Sequence, residues 1–306
     1  MAQNSPFVSI CMISYNVAGY IADAIEGVLR QQTDFPYELV IGDDCSTDRT
    51  LEVARSFADR YPGKIRLIAF ENNLGIAGNT ARTLKACSGK YIAICDSDDV
   101  WIDPLKLKKQ IDFLEANPEY GAVYTDVEPI SETGEPIAAP DVEAFRQLYA
   151  DGDIFFQLLG GNFIPNSSAV FRGEFLQDHW IDPDRNYFVQ DYILWVHIAA
   201  RARIHYLPER TTQYRKHSSG VTSGTPAIKL EGNRRIYHYN LYKSVASFDR
   251  HNIRTLTKQE RALLFRKMLS LIYRKPGTLL MKLDILRRMP RYFPGWGMLR
   301  KLKIRD

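Results

Sequence analysis

The sequence predicts an α/β protein, a mostly parallel sheet sandwiched by helices, followed by a helical C-terminal extension. Three observations carry that reading. Short apolar runs alternate with segments of helical period through residues 7–125, in the order β-α-β-α-β-α-β-α-β. The runs are near-continuously apolar, as in parallel strands covered by helices on both faces. Polar clusters gather where the runs end, at Ser14, Tyr15 and Asn16, at Asp43 and Asp44, and at Asp96, Ser97, Asp98 and Asp99. The rim beyond the carboxyl ends of parallel strands is where such sheets bind ligands.

Taken in order, FVSICMISY at 7–15 is the first strand. Val17, Ile21, Ala24, Ile25, Val28 and Leu29 follow at helical spacing, with Asn16 as the N-cap. Residues 38–41 form the second strand. A helix from about Asp48 buries Leu51, Ala54, Phe57 and Ala58, and 65–70 is the third strand. After Asn72, Asn73, Leu74 and Gly75 a helix runs to about Cys87, and 91–95 is the fourth strand. Asp103 and Pro104 read as N-cap and first residue of a helix that buries Leu107, Ile111 and Leu114. Residues 121–125 are a further strand. Beyond Glu128 the pattern loosens: a turn-rich loop at 132–140, a helical stretch at 141–159, a polar glycine-rich segment GGNFIPNSS at 160–168, and a short strand at 169–172. A helix at about 188–200 carries Asp191, and a strand at 204–207 leads into TTQYRKH at 211–217. The capping box Thr257, Lys258, Gln259, Glu260 opens the first of two amphipathic helices in the last region. The organisation is therefore an α/β domain over 1–225, its pattern changing at about residue 125, and a basic helical extension over 226–306.

At 306 residues the chain can bury a full core. No apolar run is long enough for a transmembrane helix, and the first residues lack the charged and apolar regions of a secretory signal. Cys11, Cys45, Cys87 and Cys95 have no paired spacing and sit in or beside apolar runs, which reads as free thiols in a reducing cytoplasm. The net charge of +4 hides an asymmetry. From Arg250 onward there are 16 Lys and Arg against 3 Asp and Glu; the rest of the chain holds 24 against 33.

The chemistry concentrates in YIAICDSDDVW at 91–101. Three carboxylates within four residues repel one another unless a cation sits among them. At a strand end that cation is Mg²⁺ or Mn²⁺, held by one or two carboxylates with waters and substrate phosphates completing the shell. Asp96 and Asp98 are the candidates; Asp99 and Asp103 read equally as an acidic turn before the next helix. Trp195 reads as core, and Trp101 as either core or site.

Six motifs in order resemble the family 2 glycosyltransferases of the GT-A fold: Ser14-Tyr15-Asn16, IGDDCSTDRT at 41–50, NNLGIAGN at 72–79, GKYIAICDSDD at 89–99, QDYILW at 190–195 and YRKH at 214–217. The resemblance implies inverting transfer of one sugar from a UDP- or dTDP-sugar to an acceptor hydroxyl. It makes 1–225 the catalytic domain, with a nucleotide-binding half (about 1–125) and an acceptor half (about 126–225), and places the Ser14–Tyr15 backbone along the nucleotide and Asp44 at the base edge; Asn79 and Arg82 read equally as facing the nucleotide or as solvated helix positions. It sets Asp96 and Ser97 by the ribose or sugar, Asp98 and His217 on the metal, and Asp191 as the catalytic base. A loop covering the reaction from water is expected, with 160–168 the candidate. Two departures stand out: Gln190 replaces the Glu that relatives carry before the base, and the QxxRW signature of processive synthases is absent. A dehydrogenase is disfavoured by the lack of GxGxxG. A haloacid-type phosphatase would carry its acidic pair after the first strand, and a nucleotidyltransferase needs a basic loop near residues 7–19, which have no Arg or Lys. A non-catalytic nucleotide-sugar-binding relative is weakened by retention of both the metal and the base Asp.

For the basic tail, Tyr292, Phe293 and Trp296 among Arg300, Lys301, Lys303 and Arg305 suit an anionic cytoplasmic leaflet. That would place the protein in the cytoplasm, peripheral on the inner face of the membrane. The acceptor would then be a glycan or lipid-linked glycan of cell-surface polysaccharide or lipopolysaccharide assembly. A helical appendage packed on the catalytic domain is the other reading. No nucleic-acid module is recognisable.

Overall fold

The computed structural model describes residues 6–159, 161–176, 190–218 and 220. One eight-stranded sheet organises them, in the order β3-β2-β1-β4-β7-β6-β8-β5. Its strands are β1 (Val8–Ser14), β2 (Tyr37–Asp43), β3 (Ile65–Ala69), β4 (Tyr91–Ile94), β5 (Val100–Trp101), β6 (Tyr120–Ile130), β7 (Val170–Arg172) and β8 (Arg203–Arg215). The helices are α1 (Ile21–Leu29), α2 (Thr50–Arg60), α3 (Gly75–Ala86), α4 (Lys106–Ala116), α5 (Pro140–Arg146), α6 (Phe155–Leu158) and α7 (Gln190–Ala199).

The strand alternation sorts the core into two layers. Val8, Ile10 and Met12 of β1 and Tyr91 and Ala93 of β4 face Ile21, Ile25, Phe57, Leu107 and Ile111 of α1, α2 and α4. Cys11 of β1 and Ile92 and Ile94 of β4 face Leu84 of α3, Phe155 and Leu158 of α6, and Trp195 and Ile198 of α7. Both faces are thus covered, which is why the strands read as apolar throughout. All four cysteines are free thiols.

The structure corrects the sequence reading in five places. Only the β3-β2-β1-β4 half is uniformly parallel; β7 runs antiparallel between β4 and β6, and β5 antiparallel to β8, so the sheet is mixed. An apolar run carries no information about strand direction. Asn16 does not cap α1, which begins five residues later. Asn16 adopts a positive φ of 52°, and its Oδ1 accepts from Thr47 N (2.8 Å), tying the first strand end to the second. Asp103 precedes α4 in a turn of its own, its Oδ1 taking Leu105 N at 2.9 Å. The helix expected over 141–159 breaks into α5 and α6 around Gly152, whose φ of 85° disfavours a continuous helix and whose backbone bridges to Ile204. Strand β8 is 13 residues long and takes in most of TTQYRKH. Phe188, at the expected start of α7, and the helical extension at 226–306 with its capping box lie outside the described residues.

Candidate active site

The carboxyl ends of β1, β2 and β4 form the rim. Ser14 and Asp43 lie side by side in the parallel register. Ser14 Oγ donates to Asp43 Oδ1 (3.3 Å), and Asp43 also accepts from Ser46 N and Oγ (3.0 and 2.6 Å), so it closes the turn rather than facing a ligand. Asp44 N donates to Ser14 O (2.9 Å), and its Oδ1 accepts from Leu74 N (2.7 Å) at the start of α3. Burial raises the Asp44 carboxyl, against the Leu74 and Gly75 N–H groups that hold it down. Tyr15 is exposed on the rim. Asn79, expected along the nucleotide, is buried; its amide donates to Gly42 O (2.9 Å) and Ser14 O (3.4 Å) and its Oδ1 takes the Thr83 hydroxyl (2.9 Å). It fixes the strand ends from beneath.

The β4–β5 turn holds the acidic cluster. Asp99 N donates to Asp96 O (3.2 Å), and Ser97 is buried between the two. Asp98 Oδ2 lies 3.0 Å from His217 Nε2, with the imidazole buried and the carboxylate partly exposed. That hydrogen bond raises the His217 pKa and favours the imidazolium. Arg215 clamps the turn: its N donates to Asp99 Oδ1 (3.0 Å), its Nε to Asp98 O (3.0 Å) and its Nη1 to Glu132 O (2.9 Å). Tyr20 packs tilted against the His217 ring, centroids 4.8 Å apart, and donates to Glu132 Oε1 (2.8 Å).

Asp96 accepts from Asn166 Nδ2 with both oxygens (2.9 and 3.1 Å), and its N donates to Ser167 Oγ (2.7 Å). Burial, then the Asp98 charge, lifts its carboxyl to about 7, held back by Asn166 and Ser167; the Asp191 charge adds to the rise. Asp99 is raised well above the ordinary range, first by burial and then by Asp98 and Asp96. Asp191, half-buried on the first turn of α7, accepts from Asn162 Nδ2 at 2.8 Å. Burial raises its carboxyl, opposed by the N–H of Tyr192 and by Asn162. The segment expected to cover the site is not a flap over 161–168. Phe163, Ile164, Ser167 and Ser168 are buried, and the segment ties Asp191 to Asp96.

The sequence profile of glycosyl transferase family 2 matches residues 9–180. The chain belongs to glycosyl transferase family 2. It is 38% identical over 215 residues to an uncharacterized protein of Mycobacterium tuberculosis, covering 70% of this chain and 60% of that one, so the chain spans less than two thirds of that relative's length. Among solved structures it is similar to residues 1–349 of S. aureus TarS in complex with UDP-GlcNAc, with a TM-score of 0.60 at 17% identity over 87% of this chain and 80% of that one. It is also similar to the mannosyltransferase PcManGT from Pyrobaculum calidifontis in complex with GDP-Man and Mn²⁺, with a TM-score of 0.56 at 17% identity over 98% of this chain and 76% of that one. At such identity these likenesses speak to the fold, and the fold is GT-A.

Among the described residues no group of three His, Cys, Asp or Glu forms a ready-made metal site. The donor set still fits a cation of the Mg²⁺ or Mn²⁺ kind, since such cations are held by one or two carboxylates with waters and substrate phosphates completing the shell. Asp98 would supply one carboxylate oxygen and His217 one imidazole nitrogen, beside the buried carboxyls of Asp96 and Asp99, which burial first and the Asp98 charge second raise. The sequence reading missed Asn162, Asn166, Ser167 and Arg215. Arg215 sat inside a quoted motif, but its contacts depend on the register of β8 with β5 and β6. The two asparagines lay in a segment that reads only as polar loop. No helix among the described residues is long and apolar enough to cross a membrane.

Proposed function

We propose that this chain transfers a single sugar from a nucleotide diphosphosugar, UDP- or dTDP-linked, to an acceptor hydroxyl with inversion at the anomeric carbon. The acceptor is a glycan or lipid-linked glycan of cell-surface polysaccharide or lipopolysaccharide assembly. The observation that carries the reading is that two acidic corners stand close together: Asp96 and Asp98 after β4, and Asp191 on α7, whose charge is felt at Asp96 and which one short segment ties to Asp96 through Asn162 and Asn166. The complexes of TarS with UDP-GlcNAc and of PcManGT with GDP-Man support a nucleotide-sugar donor as the ligand class.

In this reading the donor lies along the rim of β1, β2 and β4. The Ser14–Tyr15 backbone lines the nucleotide, Asp44 receives a hydrogen bond from the base edge, and Asp96 and Ser97 lie by the ribose or sugar. Asp98 and His217 would hold the divalent cation, which when bound offsets charge on the departing diphosphate. Asp191 takes the acceptor proton as the hydroxyl attacks. The raised carboxyl of Asp191 makes it a better proton acceptor than an exposed Asp, provided it is ionised before the step. Asp98 Oδ2 is 3.0 Å from His217 Nε2; adjacent ligands at about 2.1 Å from one cation are spaced by a similar distance, so the pair would need to lose its shared proton rather than move apart.

The test begins with thermal stabilisation of the full chain by UDP- and dTDP-sugars, and by GDP-mannose, with and without Mn²⁺. Asp98→Ala should abolish the Mn²⁺-dependent share of UDP binding in calorimetry. Asp191→Asn should leave donor binding in place and cut turnover by about 100-fold or more, the scale of general-base catalysis. Near-native turnover in Asp191→Asn puts the base elsewhere.

A further inference from the structure

Asn162 and Asn166 stand four residues apart, and each turns its side-chain amide toward one of the two acids that face the cleft. The orientation of Asn162 is not arbitrary. Its Oδ1 accepts from Ile164 N at 3.1 Å, which leaves Nδ2 as the group 2.8 Å from Asp191 Oδ2. The opposite flip would set acceptor against acceptor at Asp191 and donor against donor at Ile164. The segment that carries the amide is anchored in the core. Phe163 and Ile164 are buried, Ser168 Oγ donates to Pro165 O (2.8 Å) and accepts from Thr125 N (3.2 Å), and the Trp101 indole and Gln110 amide donate to Ser167 O (2.8 Å) and Ser168 O (2.9 Å). Asn162 is therefore held in place by the sheet rather than by solvent.

We propose that Asn162 is a positioning residue for Asp191: its amide donates to Oδ2 and, together with the Tyr192 N–H, fixes the rotamer of the carboxylate that receives the acceptor's proton. This rests on the reading of Asp191 as the base. In the step it serves, the acceptor oxygen bonds the anomeric carbon and its proton passes to the Asp191 carboxylate. The bond from the anomeric carbon to the diphosphate oxygen breaks, and the electron pair leaves with the nucleoside diphosphate. Asn162 touches none of the reacting atoms. Its hydrogen bond favours the ionised carboxyl that the step requires, against the burial that opposes it. The charged neighbour across the cleft is Asp96, whose own amide from Asn166 keeps its oxygens turned to the segment.

Two variants separate positioning from folding. Asn162→Ala removes the amide; Asn162→Asp keeps the oxygen that accepts from Ile164 N and replaces the donor facing Asp191 by an acceptor. In the full chain labelled with ¹³C-carboxyl aspartate, the Asp191 resonance is identified by its loss in Asp191→Asn. Its titration midpoint should move up in Asn162→Ala and further up in Asn162→Asp. With a UDP- or GDP-sugar that the chain turns over, kcat should fall about 10- to 100-fold, as when an orienting partner of a reactive group is removed. The donor KM should hold, and the acid limb of the pH profile should move up with the midpoint. An unchanged midpoint in both variants overturns the proposal, as does a loss confined to KM or to thermal stability. Failure of the base assignment would look different: Asp191→Asn would keep turnover while the midpoint still responded to Asn162.

Discussion

Lys106 on α4 is fully buried, its Nζ 4.2 Å over the Trp101 ring and 2.7 Å from Gln110 Oε1. Among the described residues no carboxylate pairs with it directly, and burial depresses its pKa to about 7. The unfolded chain holds that proton up to about 10.4. Between the two values the unfolded state binds more protons than the folded one, so stability rises with pH through that window and is flat below it. The penalty at low pH is on the order of a few kcal/mol. Lys106→Met should flatten the rise in urea-unfolding free energy between about pH 7 and 10. A residual slope belongs to Lys64, whose pKa burial lowers to about 8 while its Nζ sits 3.0 Å over the Tyr37 ring. An unaltered slope would mean that water reaches the amine. At this scale the sequence was legible where a residue's type dictates its surroundings. Asp98 and His217, named from motif alone, stand 3.0 Å apart. It was not legible where partners come from distant strands: Asn79 reads as a polar helix position, yet its amide is taken up by Gly42 and Ser14. Lys106 reads as an ordinary charged residue of a helix's first turn, since nothing local signals that Gln110 and Trp101 enclose it.

The rim at the ends of β1 and β2 depends on how closely α3 approaches β2. Gly42 permits it: a Cβ there would lie 1.9 Å from Thr83 Oγ1 and 2.5 Å from Asn79 Oδ1. Both are short, buried side chains joined to each other at 2.9 Å, so neither can swing away cheaply. Gly42→Ala should therefore push α3 off the sheet, at about 1–3 kcal/mol of destabilisation, the usual cost of overpacking. The displaced Asn79 would release the Ser14 and Gly42 carbonyls, and Leu74, which holds Asp44 from the helix start, would move with it. The readouts are a lowered Tm and, below it, weaker UDP binding by calorimetry. A native Tm would show that the helix has slack. Strands β1, β2 and β4 were legible because each is a near-continuous buried run, and β3 because an apolar run sits between two helical periods. Strand β5 was not, since two residues carry no period, and its pairing with β8 is what brings Arg215 to the acidic turn. The division of α5 from α6 follows from one positive φ at Gly152, which the sequence shows only as a glycine.

Across the whole molecule, the fold could be read because six motifs recur in one order, and order survives where individual residues drift. The mixed second half of the sheet could not, because β7 returns between β4 and β6 by a connection whose direction no composition encodes. Charge remains the strongest global signal. The 16 Lys and Arg against 3 Asp and Glu from Arg250 onward face the opposite balance in the rest of the chain. A basic segment with Tyr292, Phe293 and Trp296 gains from anionic lipid through both charge and interfacial aromatics. A purely electrostatic tail would give all its binding back as salt rises, whereas an inserted aromatic cluster retains a share. Removing residues 291–306 should lower co-sedimentation with phosphatidylglycerol vesicles at low salt and leave the negligible binding to phosphatidylcholine as it was. A Trp296→Ala chain should keep the low-salt binding and lose the part that survives high salt. Equal sedimentation of the shortened and full chains would retire the membrane reading and favour a tail packed on the catalytic domain, in which case the shortened chain should melt at a lower temperature.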